Sequence, residues 1–256
     1  MGAASSAIAG IKPALLQTSS GPIRVHCAMS VPRLGWQDHM FCWPRGLIPY
    51  GISPIRLEGA FWGQCLERVL TDIVEADTDE SQPPLYCLVL DYDSIFEADA
   101  VPRLLTYTVA SGYDFVAAVQ MKRRTDEPLF TMTAESGERL AEVTRDHLVY
   151  HNVIGVNTAH FGFTLLRANA LKKMKHPWFI GKPNEQGRWD DGRVDDDIAF
   201  WIAAQKAGLK IGVCPRVVLG HAEVWLKWPD QNMKCLLQHP GDFWDRGGKP
   251  PETVWR

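Results

Sequence analysis

The alternation of strand-like and helix-like stretches in the first half of this chain limits it to few folds. Short apolar runs have the length and composition of buried strands, and the stretches between them repeat apolar side chains with the 3.6-residue period of a helix. The strand-like runs are 23–29, 85–90 and 115–121, and the helix-like stretches are 59–77 and 98–110. Strands that alternate with helices form a mostly parallel sheet with crossover helices on its faces.

Beyond residue 120 this regular order ends. Residues 128–144 alternate around a Ser-Gly pair and could form a hairpin, whereas residues 138–143 could equally form a short helix. A strand-like run, a Gly- and Asp-rich loop, a helix and a last strand follow at 160–167, 181–194, 196–207 and 210–215. We therefore predict an α/β fold with a mostly parallel sheet flanked by helices and a small antiparallel element in the C-terminal half.

The same pattern predicts one main domain with a tail at each end. Residues 1–22 begin with small residues and are expected to form a flexible N-terminal tail. The main domain is expected to span residues 23–225, with halves at 23–120 and 121–225. Residues 226–256, which are rich in Pro, Gly and Trp, are expected to form a C-terminal tail packed on that domain.

Composition excludes several classes of partner. The chain has 46% hydrophobic residues, enough for a sizeable core, and its net charge of −3 gives no basic field of the kind that nucleic acids need. The six cysteines form no C-x-x-C pair, and no stretch reaches the roughly 18–20 apolar residues of a membrane span. We therefore expect buried thiols in a reducing compartment, no nucleic-acid partner, no transmembrane segment and a cytoplasmic location.

Two aspartates one residue apart follow the apolar run 85–90. Asp91 and Asp93, with Tyr92 between them, continue an extended backbone, which places residues i and i+2 on the same side. Two carboxylates this close repel each other unless a cation lies beside them. Oxygen ligands of this kind suit Mg²⁺ or Mn²⁺, whereas a pair of solvated aspartates at a turn is the structural alternative.

A second acidic cluster, Asp195 to Asp197, opens the predicted helix 196–207. One carboxylate at a helix start is explained by capping and by the helix dipole, but three exceed what capping needs. A carboxylate held there can act as a general base. His221 follows the last strand, and an isolated histidine in such a place is more often a packed or surface residue than a metal ligand.

The order of these motifs resembles the GT-A-fold, nucleotide-sugar-dependent glycosyltransferases, in particular the family 2-like enzymes. The motifs are "LDYD" at 90–93, "GFTLLR" at 162–167, "DDIAF" at 196–200, "AGLKI" at 207–211 and "GH" at 220–221, and they span most of residues 23–225. The resemblance implies a GT-A-like (Rossmann-like) fold. It also implies a metal-dependent transferase of hexosyltransferase type, which moves a sugar from a nucleotide-diphosphate donor to an acceptor hydroxyl of a glycan, lipid-linked or protein acceptor.

The resemblance also implies roles for individual residues. Half 23–120 would bind the nucleotide, half 121–225 the acceptor, and the cofactor would be Mn²⁺ or Mg²⁺. The implied donor-binding residues are Asp91, Tyr92, Asp93 and Gly162, and the implied metal ligands are Asp91, Asp93 and His221. The implied acidic residue at the acceptor side, which is the catalytic base in inverting members, is Asp197, with Asp196 as the alternative.

The loop 181–194 carries side chains that could close over a sugar. Trp189 and Arg188 lie in it and Trp178 lies beside it, and aromatic side chains commonly stack on sugar faces. We predict that the loop is a lid or an acceptor contact, with a simple surface loop as the alternative.

Two other functions compete for the same residues. The stretch "LVLDYDSIF" also resembles the first motif of the haloacid-dehalogenase phosphatases, in which Asp91 would be the nucleophile and Asp93 a general acid/base. A glycosyltransferase-like fold kept as a non-catalytic binding module is the second alternative. Phosphatase activity on a chromogenic phosphate ester and sugar transfer from nucleotide sugars discriminate between these functions.

Overall fold

The computed structural model describes residues 10–30, 37–59, 61–123, 127–133, 138–140 and 143–254. The strands are β1 (Ala14–Thr18), β2 (Gly21–Ser30), β3 (Pro54–Leu57), β4 (Leu85–Leu90), β5 (Ser94–Ile95), β6 (Phe115–Val119), β7 (Ile154–Gly155), β8 (Phe163–Arg167), β9 (Ile211–Val218), β10 (Gly220–His221), β11 (Leu226–Pro229) and β12 (Cys235–Gln238). The helices are α1 (Gln37–Leu47), α2 (Trp62–Ala76), α3 (Ala100–Ser111), α4 (Ala168–Leu171), α5 (Asp196–Lys206) and α6 (Pro240–Asp245), with 3-10 turns at Ile48–Tyr50 and Arg145–His147.

One mixed sheet forms the centre of the fold. Its strand order is β1-β2-β4-β8-β6-β9-β7, and β3 pairs with the end of β2. β2, β3, β4, β6 and β9 run in one direction, whereas β1, β7 and β8 run in the other. Small antiparallel pairs, β5 with β10 and β11 with β12, lie outside this sheet. The predicted fold class, a mostly parallel sheet flanked by helices, is confirmed.

Burial of β4 on both faces explains its unbroken apolar sequence. All six of its residues are buried. Cys87 and Val89 belong to a core cluster with the apolar face of α2, whereas Leu88 and Leu90 belong to a second cluster with the apolar face of α3. A strand covered on both faces needs apolar side chains at successive positions rather than at alternate ones. The predicted helices over 59–77 and 98–110 thus correspond to α2 and α3 and cover opposite faces of the sheet.

The chain ends contain more regular structure than the sequence indicates. Residues 14–18, placed in the predicted tail 1–22, form β1, because the two-residue turn at 19–20 folds this segment back onto β2. Residues 1–9 of that tail lie outside the described residues. In the segment 226–254, β11, β12 and α6 are formed.

The structure also bears on the two interpretations of residues 128–144. An antiparallel bridge joins Thr133 to Arg139, and residues 138–140 are not helical. This pairing favours the hairpin; of the residues between the two bridge partners, 134–137 lie outside the described part of the chain. Among the described helices, none is both long enough and apolar enough to cross a membrane.

Glu67 fixes the chain where it approaches the loop 181–194. Its carboxylate accepts hydrogen bonds from the backbone N–H groups of Trp178 and Phe179, at 2.7 and 2.9 Å, and contacts Nδ1 of His176 at 2.6 Å. Trp178 and Phe179 are buried, so these N–H groups would otherwise face the core. A buried N–H group without an acceptor is costly, and Glu67 therefore anchors this segment on α2.

Replacing Glu67 by Ala is expected to lower the free energy of unfolding by about 1–3 kcal/mol, because two backbone donors lose their acceptor. Urea unfolding measures the change. Glu75→Ala, an exposed position on the same helix, is the matched control and is expected to change stability by less than about 0.5 kcal/mol. Equal losses in both variants would contradict the anchoring role.

Candidate functional site

A cleft of about 700 Å³ opens where β4 and β6 end. Open α/β sheets bind ligands at this edge, outside the carboxyl ends of their parallel strands. The side chains that line it are acidic, aromatic and imidazole-bearing for the most part: Phe61, Trp62, Asp91, Gln120, Arg123, Leu129, His160, Phe161, Trp189, Asp195, Asp196, Asp197 and His221. The cleft therefore brings Asp91 of the first predicted acidic cluster together with the second cluster and the predicted histidine.

Asp93 and His221 meet at the edge of this cleft because β5 and β10 pair with each other. His221 lies opposite Ser94 in that pair, and the N–H of Ala222 donates to the Asp93 carbonyl at 2.8 Å. These backbone contacts hold Nε2 of His221 3.3 Å from Oδ2 of Asp93. The Asp93 residue is 2% exposed, so its carboxylate is a buried charge that requires a partner.

Arg123 supplies that partner and touches both side chains. Its Nη2 donates to Oδ2 of Asp93, and its Nε donates to Nε2 of His221 at 2.9 Å. Nδ1 of His221 lies 2.9 Å from the Met121 carbonyl, which can only accept, so Nδ1 carries the proton. The lone pair of Nε2 therefore points toward Arg123 and Asp93, which is the tautomer that a metal ligand requires.

The electrostatics of this pair oppose the effect of burial. Burial disfavours charge on Asp93, but the contact with His221 and the charge of Arg123 outweigh it and hold the Asp93 pKa below its ordinary value. Burial likewise disfavours a cationic His221, yet its contacts with Asp93 and the Met121 carbonyl raise its pKa. Nε2 of His221 is thus a basic nitrogen that faces an anionic oxygen.

Asp91 has a different environment. Its Oδ1 accepts a hydrogen bond from the indole Nε1 of Trp62 at 3.0 Å, and its backbone N–H donates to the Gly162 carbonyl at 3.2 Å. Burial, followed by the charge of Asp93, raises the Asp91 pKa to about 6. Tyr92, the predicted donor contact between the two aspartates, is half-buried and is not among the described residues that line the cleft.

The donor atoms present fit two adjacent positions of a divalent ion. Neighbouring ligands of an octahedral ion with bonds of about 2.1 Å lie about 3 Å apart, close to the 3.3 Å between Asp93 and His221. Within the described ranges, no group of three or more His, Cys, Asp or Glu side chains is arranged to hold a metal ion. Of the three predicted ligands, the structure brings Asp93 and His221 together, while Asp91 is hydrogen-bonded to Trp62.

The three aspartates at the start of α5 have three different surroundings. Asp195 occupies the N-cap position without a capping hydrogen bond, and its carboxylate pairs with Arg193 at 2.7 Å. Oδ1 of Asp196 accepts the N–H of Gly181 at 2.7 Å, which ties the loop 181–194 to the helix. Burial raises the pKa of Asp197, although its carboxylate accepts the Ile198 N–H at 2.8 Å.

The aromatic residues proposed to contact the sugar do not all reach the cleft. Trp189 lines it and is 61% exposed. Trp178 is 1% exposed, and its Nε1 donates to the Met174 carbonyl at 3.4 Å, so it is a core residue and not a lid contact. Arg188 pairs with Asp190 at 3.4 Å and is not among the described residues lining the cleft.

A polar floor lies beneath the cleft, and the sequence did not single out most of it. Nε2 of the buried His160 lies 2.8 Å from the Ala118 carbonyl, and its Nδ1 accepts the N–H of Gly162 at 3.0 Å. Burial lowers the His160 pKa to about 4, so this imidazole is neutral at pH 7. A Cβ at Gly162 would lie 2.2 Å from Oε1 of Gln120 and 2.9 Å from Nδ1 of His160, so a larger residue would force these buried side chains to shift. His160 lies two residues before Gly162, so the motif at 162–167 could have indicated this residue of the polar floor.

Comparisons with known proteins identify similar folds and no close relative. No protein-family profile and no curated protein sequence matches the chain. The crystal structure of A197 from STIV is similar over 88% of this chain and 95% of that chain, with 15% identity and a TM-score of 0.52. This similarity shows the fold alone; it supports the GT-A-like class without indicating family 2 in particular.

Two further solved structures are similar at TM-scores too low to bear on the site. GalNAc-T7 with UDP, GalNAc and Mn²⁺ matches 77% of this chain and 42% of its own, with 8% identity and a TM-score of 0.45. The inositol-1-phosphate CTP transferase from T. maritima matches 77% of this chain and 89% of its own, with 8% identity and a TM-score of 0.40. Function is therefore inferred from the geometry of the cleft.

The raised pKa of Asp91 predicts a pH-dependent difference between the wild type and Asp91→Asn. Below about pH 4 the carboxyl is protonated in both folded and unfolded chains and costs nothing; above about pH 6 the fold carries a charge that it disfavours. The stability of the wild type relative to Asp91→Asn should therefore fall by up to about 2 kcal/mol between these two pH values. The fall is smaller than the full effect of the pKa shift because solvent in the cleft screens part of the charge. Urea unfolding in EDTA at several pH values measures this difference, and a constant difference would contradict the assignment.

Proposed function

We propose that this chain is a metal-dependent glycosyltransferase that moves a hexose from a nucleotide-diphosphate sugar to an acceptor hydroxyl. The observation that supports this function is that one cleft is lined both by His221, whose Nε2 lies 3.3 Å from Oδ2 of the buried Asp93, and by the carboxylates at the start of α5. The Asp93–His221 pair is suited to binding a diphosphate with its counter-ion, and the α5 carboxylates are suited to accepting a proton from the acceptor. Inverting glycosyl transfer uses both in one place.

At the donor end, Asp93 and His221 would hold Mn²⁺ or Mg²⁺ through Oδ2 and Nε2. Such an ion would neutralise the diphosphate and stabilise the nucleoside diphosphate as it leaves. Arg123 lies beside both atoms and adds a second positive group at this end of the cleft. Asp91, held by Trp62, limits the negative charge near the phosphates when its carboxyl is protonated.

At the acceptor end, Asp197 is the best candidate for the base. The acceptor oxygen would bond to the anomeric carbon while its proton passes to the Asp197 carboxylate. At the same time the bond from that carbon to the diphosphate would break, and its electron pair would leave with the diphosphate. A carboxylate whose pKa is raised by burial is a better base near neutral pH. Asp196 remains the alternative, but its Oδ1 already accepts the Gly181 N–H.

The phosphatase alternative is disfavoured by the same contacts. Asp93, as the general acid/base, would need a proton to give, but Arg123 and His221 hold it ionised. The acidic cluster that would have to follow an apolar strand instead opens α5.

Asp197→Asn is expected to reduce sugar transfer by roughly 10²–10⁴, because the amide keeps the shape of the side chain but cannot accept the proton. The assay follows release of nucleoside diphosphate and formation of product across a panel of nucleotide sugars with Mn²⁺ and a mixture of acceptor classes. Donor affinity should persist in the variant.

Asp195→Asn is the matched control, since Asp195 is exposed and paired with Arg193; its transfer rate should stay within a few-fold of wild type. Near-wild-type transfer by Asp197→Asn together with a severe loss in Asp196→Asn would assign the base to Asp196. Absence of any turnover by the wild type across the panel would contradict the proposed function and favour a binding module.

The loop 181–194 is suited to closing over a bound donor or acceptor. Two backbone hydrogen bonds between Lys182 and Val194, at 2.7 and 2.9 Å, join its ends, and Asp196 holds Gly181. Trp189 extends from this closed base into the cleft with 61% of its surface exposed. The base of the loop is thus fixed while its tip can meet a ligand.

Hydrogen exchange should therefore change in only part of this loop. We expect slower exchange at residues 189–191 when a nucleotide sugar and Mn²⁺ are added, because ligand contact with Trp189 orders this part of the tip. Lys182 and Val194, already hydrogen-bonded, should change little. Unaltered exchange at the tip under saturating donor would argue for a simple surface loop.

A further inference from the structure

Arg123 occupies the place that a metal ion would take. Its guanidinium contacts Oδ2 of Asp93 and Nε2 of His221, which are the two atoms that fit neighbouring ligand positions. The imidazole nitrogen has a single lone pair, and the Nε–H of Arg123 uses it. Arg123 and a divalent ion therefore cannot both hold His221, and binding of the ion requires the guanidinium to move.

The side chain of Arg123 has room to move. It is 48% exposed, whereas that of Asp93 is 3% exposed. The two residues before Arg123 are held by their backbones. Met121 pairs with Pro128, and the N–H of Lys122 donates to the Glu127 carbonyl at 2.8 Å. The backbone leading to Arg123 is thus fixed at the rim of the cleft, while its long side chain can reach either the buried carboxylate or a ligand.

On the basis of the proposed function, we infer that Arg123 is a resident counter-ion that a divalent ion displaces from Asp93 and His221. The displaced guanidinium of Arg123 then binds the diphosphate of the donor. A guanidinium binds phosphate oxygens in a two-point arrangement, as it does carboxylates. Ion and diphosphate would therefore bind together more favourably than either alone. In the absence of both, the buried charge of Asp93 stays neutralised.

The competition has a measurable size. If the guanidinium holds the position about nine-tenths of the time, the apparent affinity for an ion is about ten-fold weaker than that of the open site. Removing Arg123 should thus strengthen binding of the ion alone. The same change should weaken binding of a diphosphate, because one of its cationic partners is lost. A purely structural role for Arg123 would move both affinities in the same direction.

The test is calorimetry on the full chain with two probes, Mn²⁺ alone and magnesium pyrophosphate. Arg123→Gln is expected to bind Mn²⁺ about ten-fold more tightly than wild type and to bind magnesium pyrophosphate more weakly. Lys122→Gln, the neighbouring cation, which pairs with Glu127, is the matched control and should leave both affinities unchanged. Asp93→Asn should abolish Mn²⁺ binding with either residue at position 123, which locates the ion.

Arg123→Lys provides a second variant if Arg123→Gln proves unstable. A lysine keeps the charge but cannot span both atoms, so its Mn²⁺ affinity should lie between those of the wild type and Arg123→Gln. Wild-type Mn²⁺ affinity in both variants, or changes of the same sign for both probes, would overturn the inference even if the wild type transfers sugar. The expected opposite changes in a chain that turns over no nucleotide sugar would support the competition and refute the transferase function.

Discussion

Burial of β4 on both faces is the constraint on which the rest of the structure depends. All six of its residues are buried, alternate side chains enter two separate cores, and its edges pair with β2 and β8. A strand held on every side has no freedom to shift its register. Asp91 and Asp93 follow directly after it, so their positions at the edge of the sheet are fixed by the core rather than by a flexible loop.

Several carboxylates lie in or beside the cleft, and their different contacts give them different electrostatic environments. Arg123 and His221 hold the pKa of Asp93 below its ordinary value, whereas burial raises the pKa of Asp91 against the opposing effect of its hydrogen bond from Trp62. The carboxylates of α5 face the same space at the positive end of a helix dipole. Environments that separate the pKa values of neighbouring acids are a feature of sites that bind anions at one end and move protons at the other.

Local patterns in the sequence predicted those parts of the fold that depend on local interactions. β4 begins and ends where its apolar run does, and α2 follows its 3.6-residue repeat, because burial of a continuous face determines both. The insertion of β8 between β4 and β6, antiparallel to both, was not predicted. Pairing between strands so distant along the chain leaves no periodic signal in either of them.

The same distinction applies to the site. The meeting of Asp93 with His221 followed from the order of motifs, but the role of Arg123 did not, since an arginine beside a turn has the same local pattern whether it faces solvent or a buried carboxylate. Trp178 illustrates the converse: a tryptophan next to a loop was assigned to the cleft and belongs to the core. Long side chains at loop ends are placed by tertiary packing, which sequence patterns do not record.

Anomalous diffraction at the manganese edge, from crystals soaked with Mn²⁺ and pyrophosphate, tests the central claim most directly. The claim is that Asp93 and His221 hold the counter-ion of a diphosphate in this cleft. It predicts one strong peak within about 2.0–2.4 Å of both Oδ2 of Asp93 and Nε2 of His221, with phosphate density on its open side and the Arg123 guanidinium moved away from His221. A peak only among Asp195 to Asp197, or pyrophosphate bound elsewhere with Arg123 still on Asp93, would contradict it.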